Sequence, residues 1–248
     1  MYSKFKTDIN NYSSFVPAKT KEGLIMIVNP NDQYISRSLM YTGEWEPHIT
    51  NILKSFLKEG MTMIDVGANI GAHTLISSKL VGNSGKVFAF EPCKINHDIL
   101  IQNCLINKCS NTIIFKFGCS DNSNNMFIDQ KWNKTNKEDN YGCITLQPTS
   151  TNENDEQIDI ISLDELLTNV FNSSDFEEKN KRIDLIKIDA EGMEDKVLLG
   201  FKKLIEKYKP FMIVEIHPGE LKDVRQIIEN MNYQLKQIGG IDFIAIPN

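Results

Sequence analysis

Long hydrophobic runs are missing from this 248-residue chain: none approaches the roughly 18 apolar residues of a membrane span. The opening residues, MYSKFKTDINNYSSF, lack the apolar core of a secretory signal. Basic charge is also short. Against 33 Asp and Glu stand 27 Lys and Arg, a net charge of −6. That balance argues against gripping nucleic acid, because displacing counterions from phosphates takes a basic footprint. Cysteines are few, scattered and odd in number: Cys93, Cys104, Cys109, Cys119 and Cys143. Cys104 and Cys109 lack C-x-x-C spacing and no His-rich partner lies nearby, so no zinc site or redox pair is expected; a carboxylate metal site is imaginable around Asp189 and Glu191, but no metal-ligand motif supports one. Without a secretory signal, the sequons at Asn11 and Asn133 are chance matches. A cytoplasmic protein with reduced, mostly buried thiols is the expectation. No internal repeat is present.

What is there suits one α/β domain: 41% hydrophobic and 24% charged residues, and too little length for two comfortable domains. We expect an N-terminal extension over residues 1–60 and a single globular unit over residues 61–248. In the extension, Leu24–Val28 and Tyr34–Tyr41 flank the turn signal Asn29-Pro-Asn-Asp32 and predict a hairpin. Pro47 then opens a helix whose Ile49, Ile52, Leu53, Phe56 and Leu57 keep the helical period, and Gly60 stops it.

From Met61 onward, apolar strands alternate with helical stretches. Strands are predicted at 63–66, 86–90, 113–117, 184–188, 211–215 and 241–246, and helices at 73–80, 96–107, 194–208 and 221–231. Fully apolar strands in this alternation imply a mostly parallel sheet covered on both faces. Between Ser120 and Gln157 the texture turns to Asn, Asp, Lys, Thr and Ser, with strand-like pieces only at Met126–Ile128 and Cys143–Leu146. This polar excursion either lies over the active site or is a surface insertion.

Chemistry gathers at the predicted strand ends, where open α/β sheets bind ligands. Asp65-Val-Gly-Ala-Asn-Ile-Gly71 follows a strand and opens a helix. Gly67 and Gly71 let backbone approach a ligand, but Asn69 and Ala72 occupy positions that a dinucleotide fingerprint gives to glycine. Asp65 and Asn69 suit the carboxylate and ammonium of S-adenosylmethionine better than a pyrophosphate. Glu91 ends the next strand, 20 residues after Gly71, where a carboxylate can accept both ribose hydroxyls. Asp121 follows the third strand as an adenine acceptor or an ordinary turn residue. Asp184-Leu-Ile-Lys-Ile-Asp-Ala-Glu-Gly192 points Asp189 and Glu191 at the same crevice. Lys187 within that apolar strand needs a partner, since burying it unpaired is costly. Val214-Glu-Ile-His217 adds His217 and Glu215. His217 suits a general base for an alcohol; Glu215 or Asp189 would serve if desolvation raised its pKa.

Taken in order, Asp65–Gly71, Phe90-Glu-Pro92, Ile186–Gly192 and Pro210–Glu215 resemble the FkbM-type methyltransferases, as do Gly43-Glu-Trp-Glu46 and Ile161–Leu166. The likeness runs from about Gly23 to His217. It implies a Rossmann-like methyltransferase fold of seven mostly parallel strands with an antiparallel last strand. It also implies S-adenosylmethionine as donor and O-methylation of sugars or other small-molecule hydroxyls, a glycan acceptor among them. By the same likeness Asp65–Gly71 line the methionine end, closed by Glu44 or Glu46. Glu91 takes the ribose, Asp121 the adenine, and Asp189 and Glu191 lie near the methyl and the acceptor.

Three rival readings differ in class. An NAD-dependent oxidoreductase lacks its glycines at 69 and 72. A non-catalytic nucleoside-binding scaffold is disfavoured by intact candidates in every motif. An N-methyltransferase lacks the Asn/Asp-Pro-Pro-Tyr type tetrapeptide of planar amino-group methylation. No nucleic acid or membrane partner is expected, and the hairpin edge from Leu24 to Tyr41 could pair two copies.

Overall fold

Short apolar strands and amphipathic helices assemble, in this computed structural model, around one central sheet. The structure describes residues 15–128, 146–150, 153, 155–174, 176–178 and 181–248. The chain starts with an antiparallel pair, β1 (Val16–Lys19) and β2 (Ile25–Val28). Helices α1 (Ile35–Thr42) and α2 (Pro47–Phe56) follow. Then come β3 (Thr62–Val66), α3 (Ala72–Val81), β4 (Lys86–Phe90), α4 (Lys94–Ile106) and β5 (Thr112–Phe115). A small four-stranded sheet is built from β6 (Gly118–Cys119), β7 (Asn124–Ile128), β8 (Leu146–Gln147) and β9 (Glu156–Ile161), in the order β6-β9-β7-β8. The chain ends with α5 (Leu163–Asn172), β10 (Leu185–Ile188), α6 (Glu194–Gly200), α7 (Lys202–Tyr208), β11 (Phe211–Glu215), α8 (Leu221–Asn230), β12 (Tyr233–Gly239) and β13 (Asp242–Pro247).

The main sheet has seven strands in the order β12-β13-β11-β10-β3-β4-β5. Pairings from β5 to β11 are parallel, and β13 runs antiparallel between β11 and β12. Every residue of β3 and β10 is buried, as apolar strands sandwiched between helix layers must be. Register sets Lys187 beside Asp65. Just past the last row shared by the parallel strands stand Glu91 after β4, Asp189 after β10 and Glu215 at the end of β11, and the antiparallel pairing sets Asp242 against Glu215. Four acids from four strands thus reach one edge. Among the described residues no helix is long and apolar enough to cross a membrane.

The N-terminal extension differs from expectation. Tyr34–Tyr41 is not a strand: α1 occupies it, and the partner of β2 is β1, upstream. Asp32 explains the helix. Its buried carboxylate accepts from the backbone N–H of Tyr34 and Ser36, at 3.2 and 2.7 Å, satisfying amides that a helix start leaves bare. The free edge of β2 is closed by side chains of α4. Asn103 accepts from Ile27 N–H at 2.6 Å and donates to its carbonyl; Asn107 does the same for Ile25, at 3.0 and 2.6 Å. Residues two apart on a strand and four apart on a helix repeat at nearly the same distance, which makes this pairing geometric. The edge expected to join two copies is therefore engaged within the chain.

Other differences are local. The helix expected from Glu194 to Tyr208 breaks at Phe201, and Asp164 caps its second half by accepting from the N–H groups of Lys203 and Leu204, both at 2.9 Å. Strands β9 and β12 and helix α5 were not anticipated. Within the polar excursion Met126–Ile128 is a strand, whereas Cys143–Thr145 and the Asn133 sequon lie outside the described residues.

Candidate active site

A cleft of about 400 Å³ opens over the carboxyl ends of β3, β4, β10 and β11. Its floor is the turn after β3. Gly67 has φ 75°, and a Cβ there would stand 1.8 Å from the Asp189 carbonyl oxygen, so the turn packs directly on the neighbouring strand end. Three cleft residues other than glycine hold left-handed backbone: Glu46 (φ 42°), Asn69 (φ 51°) and Glu191 (φ 49°). L-residues visit this region at a cost, and functional sites are where such conformations collect.

On the β4 side, Glu91 is buried and its two oxygens accept from Asn69 N–H at 2.8 Å and Cys93 N–H at 2.9 Å. Burial raises its pKa to about 7, although those two bonds oppose the rise and Asp189 and Asp65 add to it. Asp65 is buried too. Its Oδ2 accepts from the Thr74 hydroxyl at 2.5 Å, while Oδ1 has no hydrogen-bond partner. Burial pushes its pKa up against the pull of Lys187.

On the β10–β11 side, Lys187 Nζ is 2.9 Å from Asp189 Oδ2. Burial opposes its charge, but Asp189, Asp65 and Glu46 more than offset this and its pKa is raised. The lysine in an apolar strand is thus an internal counter-ion. Glu215 is raised to about 8 by burial, then by Asp189, with Glu46 and Glu191 adding to the effect. Its Oε1 is 3.7 Å from His217 Nε2. Glu46 is raised to about 7, chiefly by burial. His73, buried against it, is held well below the usual imidazole range by burial and the Lys187 charge. Glu194 accepts from the N–H groups of Ala190 and Gly192 and so holds the Asp189–Gly192 turn.

Nearly all the sequence candidates meet here. Asp65, Gly67, Asn69, Glu91, Asp189, Glu191, Glu215 and His217 line the cleft. Three do not. Glu44 turns away to pair with Lys21 at 2.5 Å, and Glu46 takes the wall position instead. Gly71 caps α3 at φ 95°, where a Cβ would collide with Leu100 and Leu75, so its role is packing. Asp121 bonds Ser120 and Asn122 outside the cleft; Phe117, Gly118 and Cys119 provide the wall there. Sequence reasoning missed Tyr34, His73 and Asp242, which carry no motif, and Trp45, which sits within Gly43-Glu-Trp-Glu46 but was given no role. Leu146, from the polar excursion, also reaches the wall.

The donor set fits a cationic nucleoside. Among the described residues lining it, carboxylates far outnumber the one buried ammonium, Lys187; Asp65 Oδ1 has no hydrogen-bond partner, and Glu91 ends the neighbouring strand.

The solved structures similar to the chain include the methyltransferase FkbM from Methylobacillus flagellatus KT, with 17% identity and a TM-score of 0.50. That match covers 79% of this chain and 50% of the other, so the chain spans half the length of that protein. A precorrin-6y C5,15-methyltransferase from Geobacter metallireducens GS-15 matches with 11% identity and a TM-score of 0.48, covering 81% and 87% of the two chains. A protein of Streptococcus mutans solved in complex with S-adenosylhomocysteine matches with 12% identity and a TM-score of 0.44, covering 80% and 94%. No protein of curated function matches the sequence. The methyltransferase FkbM domain is matched over residues 65–235, well over half the chain. The chain therefore belongs to the FkbM methyltransferase family, whose methyl donor is S-adenosylmethionine.

Proposed function

We propose that this chain transfers the methyl group of S-adenosylmethionine to a hydroxyl of a sugar or another small molecule. The observation that carries this reading is the convergence of Asp189, Glu215 and His217 at one end of an acidic cleft. An alcohol must lose its proton as its oxygen attacks, so it needs an acceptor within hydrogen-bond reach and near neutral pKa. His217 is the base in this reading, with Glu215 Oε1 3.7 Å from it; Lys187 holds Asp189 close by, at 2.9 Å. When bound, the donor supplies an electrophilic methyl on a sulfonium. Asp65, Asn69 and Glu91 hold the donor, Glu91 through the ribose hydroxyls, and the cleft aligns the acceptor, which alone lowers a barrier by several kcal/mol. Trp45 and Tyr34 offer flat apolar surface for the C–H face of a sugar ring.

His217→Ala is expected to lower kcat about 100-fold or more while leaving S-adenosylhomocysteine affinity unchanged. Turnover and calorimetric titration on the same preparation check this, and full turnover in the variant removes His217 from the mechanism.

A further inference from the structure

Three carboxylates from distant parts of the chain meet at the acceptor end of the cleft: Glu46 ahead of α2, Glu215 at the end of β11, and Asp242 at the start of β13. One oxygen from each lies within 4.8 Å of the others. Each also has an imidazole nitrogen beside it. His48 Nε2 is 2.7 Å from Asp242 Oδ2, His217 Nε2 is 3.7 Å from Glu215 Oε1, and His73 Nε2 is 3.8 Å from Glu46 Oε2. Like charges this close repel, and packing gives no reason to gather them. Lys187, the only buried ammonium among the described residues, is already engaged by Asp189 at 2.9 Å.

Acidic clusters often exist without a ligand, but His73 adds an independent sign. Its side chain is 5% exposed, its Nε2 has no hydrogen-bond partner, and it faces the cleft beside Glu46. A neutral imidazole offers one nitrogen lone pair, and the bare Nε2 is the nitrogen that faces Glu46.

We propose that Glu46, Glu215 and Asp242, with His73 at the margin, form a site for one hard divalent cation of the Mg²⁺ or Mn²⁺ class. Oxygen-rich donors select these ions. In an octahedron with bonds of about 2.1 Å, neighbouring oxygens stand about 3.0 Å apart and opposite ones about 4.2 Å, so the three carboxylates must draw together to close on an ion. His48 then orients Asp242 as an outer partner. The role of the cation rests on the hydroxyl-acceptor reading: it holds and polarises the acceptor oxygen, leaving His217 and Asp189 to take the proton. Its binding does not depend on that reading.

The test is Mn²⁺ titration of chelator-treated full chain, followed by electron paramagnetic resonance of the free ion, with and without S-adenosylhomocysteine. One Mn²⁺ per chain, displaced by Mg²⁺, is expected. Asp242→Asn should weaken Mn²⁺ binding about tenfold or more while S-adenosylhomocysteine still binds as in the unmodified protein. No Mn²⁺ bound at about millimolar concentration, or equal affinity in the folded variant, overturns the site. Donor binding without Mn²⁺ sinks the cation site alone; Mn²⁺ binding without donor supports it and sinks the donor reading.

Discussion

At the scale of single residues, Glu91 shows how the fold sets up a nucleoside contact. Two backbone amides fix its oxygens, each of which keeps a further lone pair for a hydroxyl donor, while burial raises its pKa to about 7. Glu91→Gln would turn an NH₂ group against one of those amides. We expect S-adenosylhomocysteine affinity to fall about 10- to 100-fold, since bonds to charged groups carry about 1.5–3 kcal/mol; calorimetry showing unchanged affinity would refute the assignment. Asp65 and Glu91 were legible in the sequence because strand, turn and acid lie close together in the chain. Asp242 was not: it meets Glu215 only because β13 inserts antiparallel beside β11. Nor could the sequence choose between Glu44 and Glu46, which flank Trp45. The left-handed turn at Glu46 and the Lys21 partner of Glu44 decide that.

Among elements, the turn after β3 is the least forgiving. A methyl group at Gly67 would meet backbone, not a movable side chain, and φ 75° strains any L-residue. Gly67→Ala is expected to cost about 3 kcal/mol or more, seen as a lower Tm in thermal unfolding; an unchanged Tm would mean that the β10 end yields. The β-α alternation of the core was readable because fully apolar strands and period-3.6 helices cannot be exchanged. The segment from Tyr34 to Tyr41 was not, since eight residues with tyrosines and one isoleucine fit either period. The deciding residue was Asp32, whose carboxylate caps a helix where a turn signal had suggested a hairpin. The break at Phe201 was hidden for a related reason: Asp164, which caps α7, lies far upstream in the sequence.

For the molecule as a whole, buried acids make stability depend on pH. Glu91 and Glu194 have folded-state pKa values of about 7, above their ordinary 4.5, mainly through burial. The folded chain therefore holds more protons than the unfolded one between those values. Their contribution is full below pH 4.5 and is lost as pH rises through about 7. Buried His73, with its pKa lowered, acts oppositely but only below its ordinary 6.5. The ligand-free protein should thus lose Tm from pH 6.5 to 8, and Glu91→Gln, whose side chain does not titrate, should flatten the decline. For Glu91 the whole shift, spread from pH 4.5 to above 7, corresponds to roughly 3 kcal/mol, of which roughly 1 kcal/mol remains to be lost above pH 6.5. A Tm rising over that interval would contradict this balance. The closure of β2 by two asparagine amides bears on the molecule in another way, as a matter of ageing. Spontaneous hydrolysis of Asn107 would replace its amide donor with a carboxylate aimed at the Ile25 carbonyl, now 2.6 Å away. Asn107→Asp mimics that lesion and should raise concentration-dependent association in sedimentation, whereas an unchanged profile would mean that Asn103 alone keeps the strand shut. The hairpin's guard against pairing with a neighbour is a chemical bond with a shelf life.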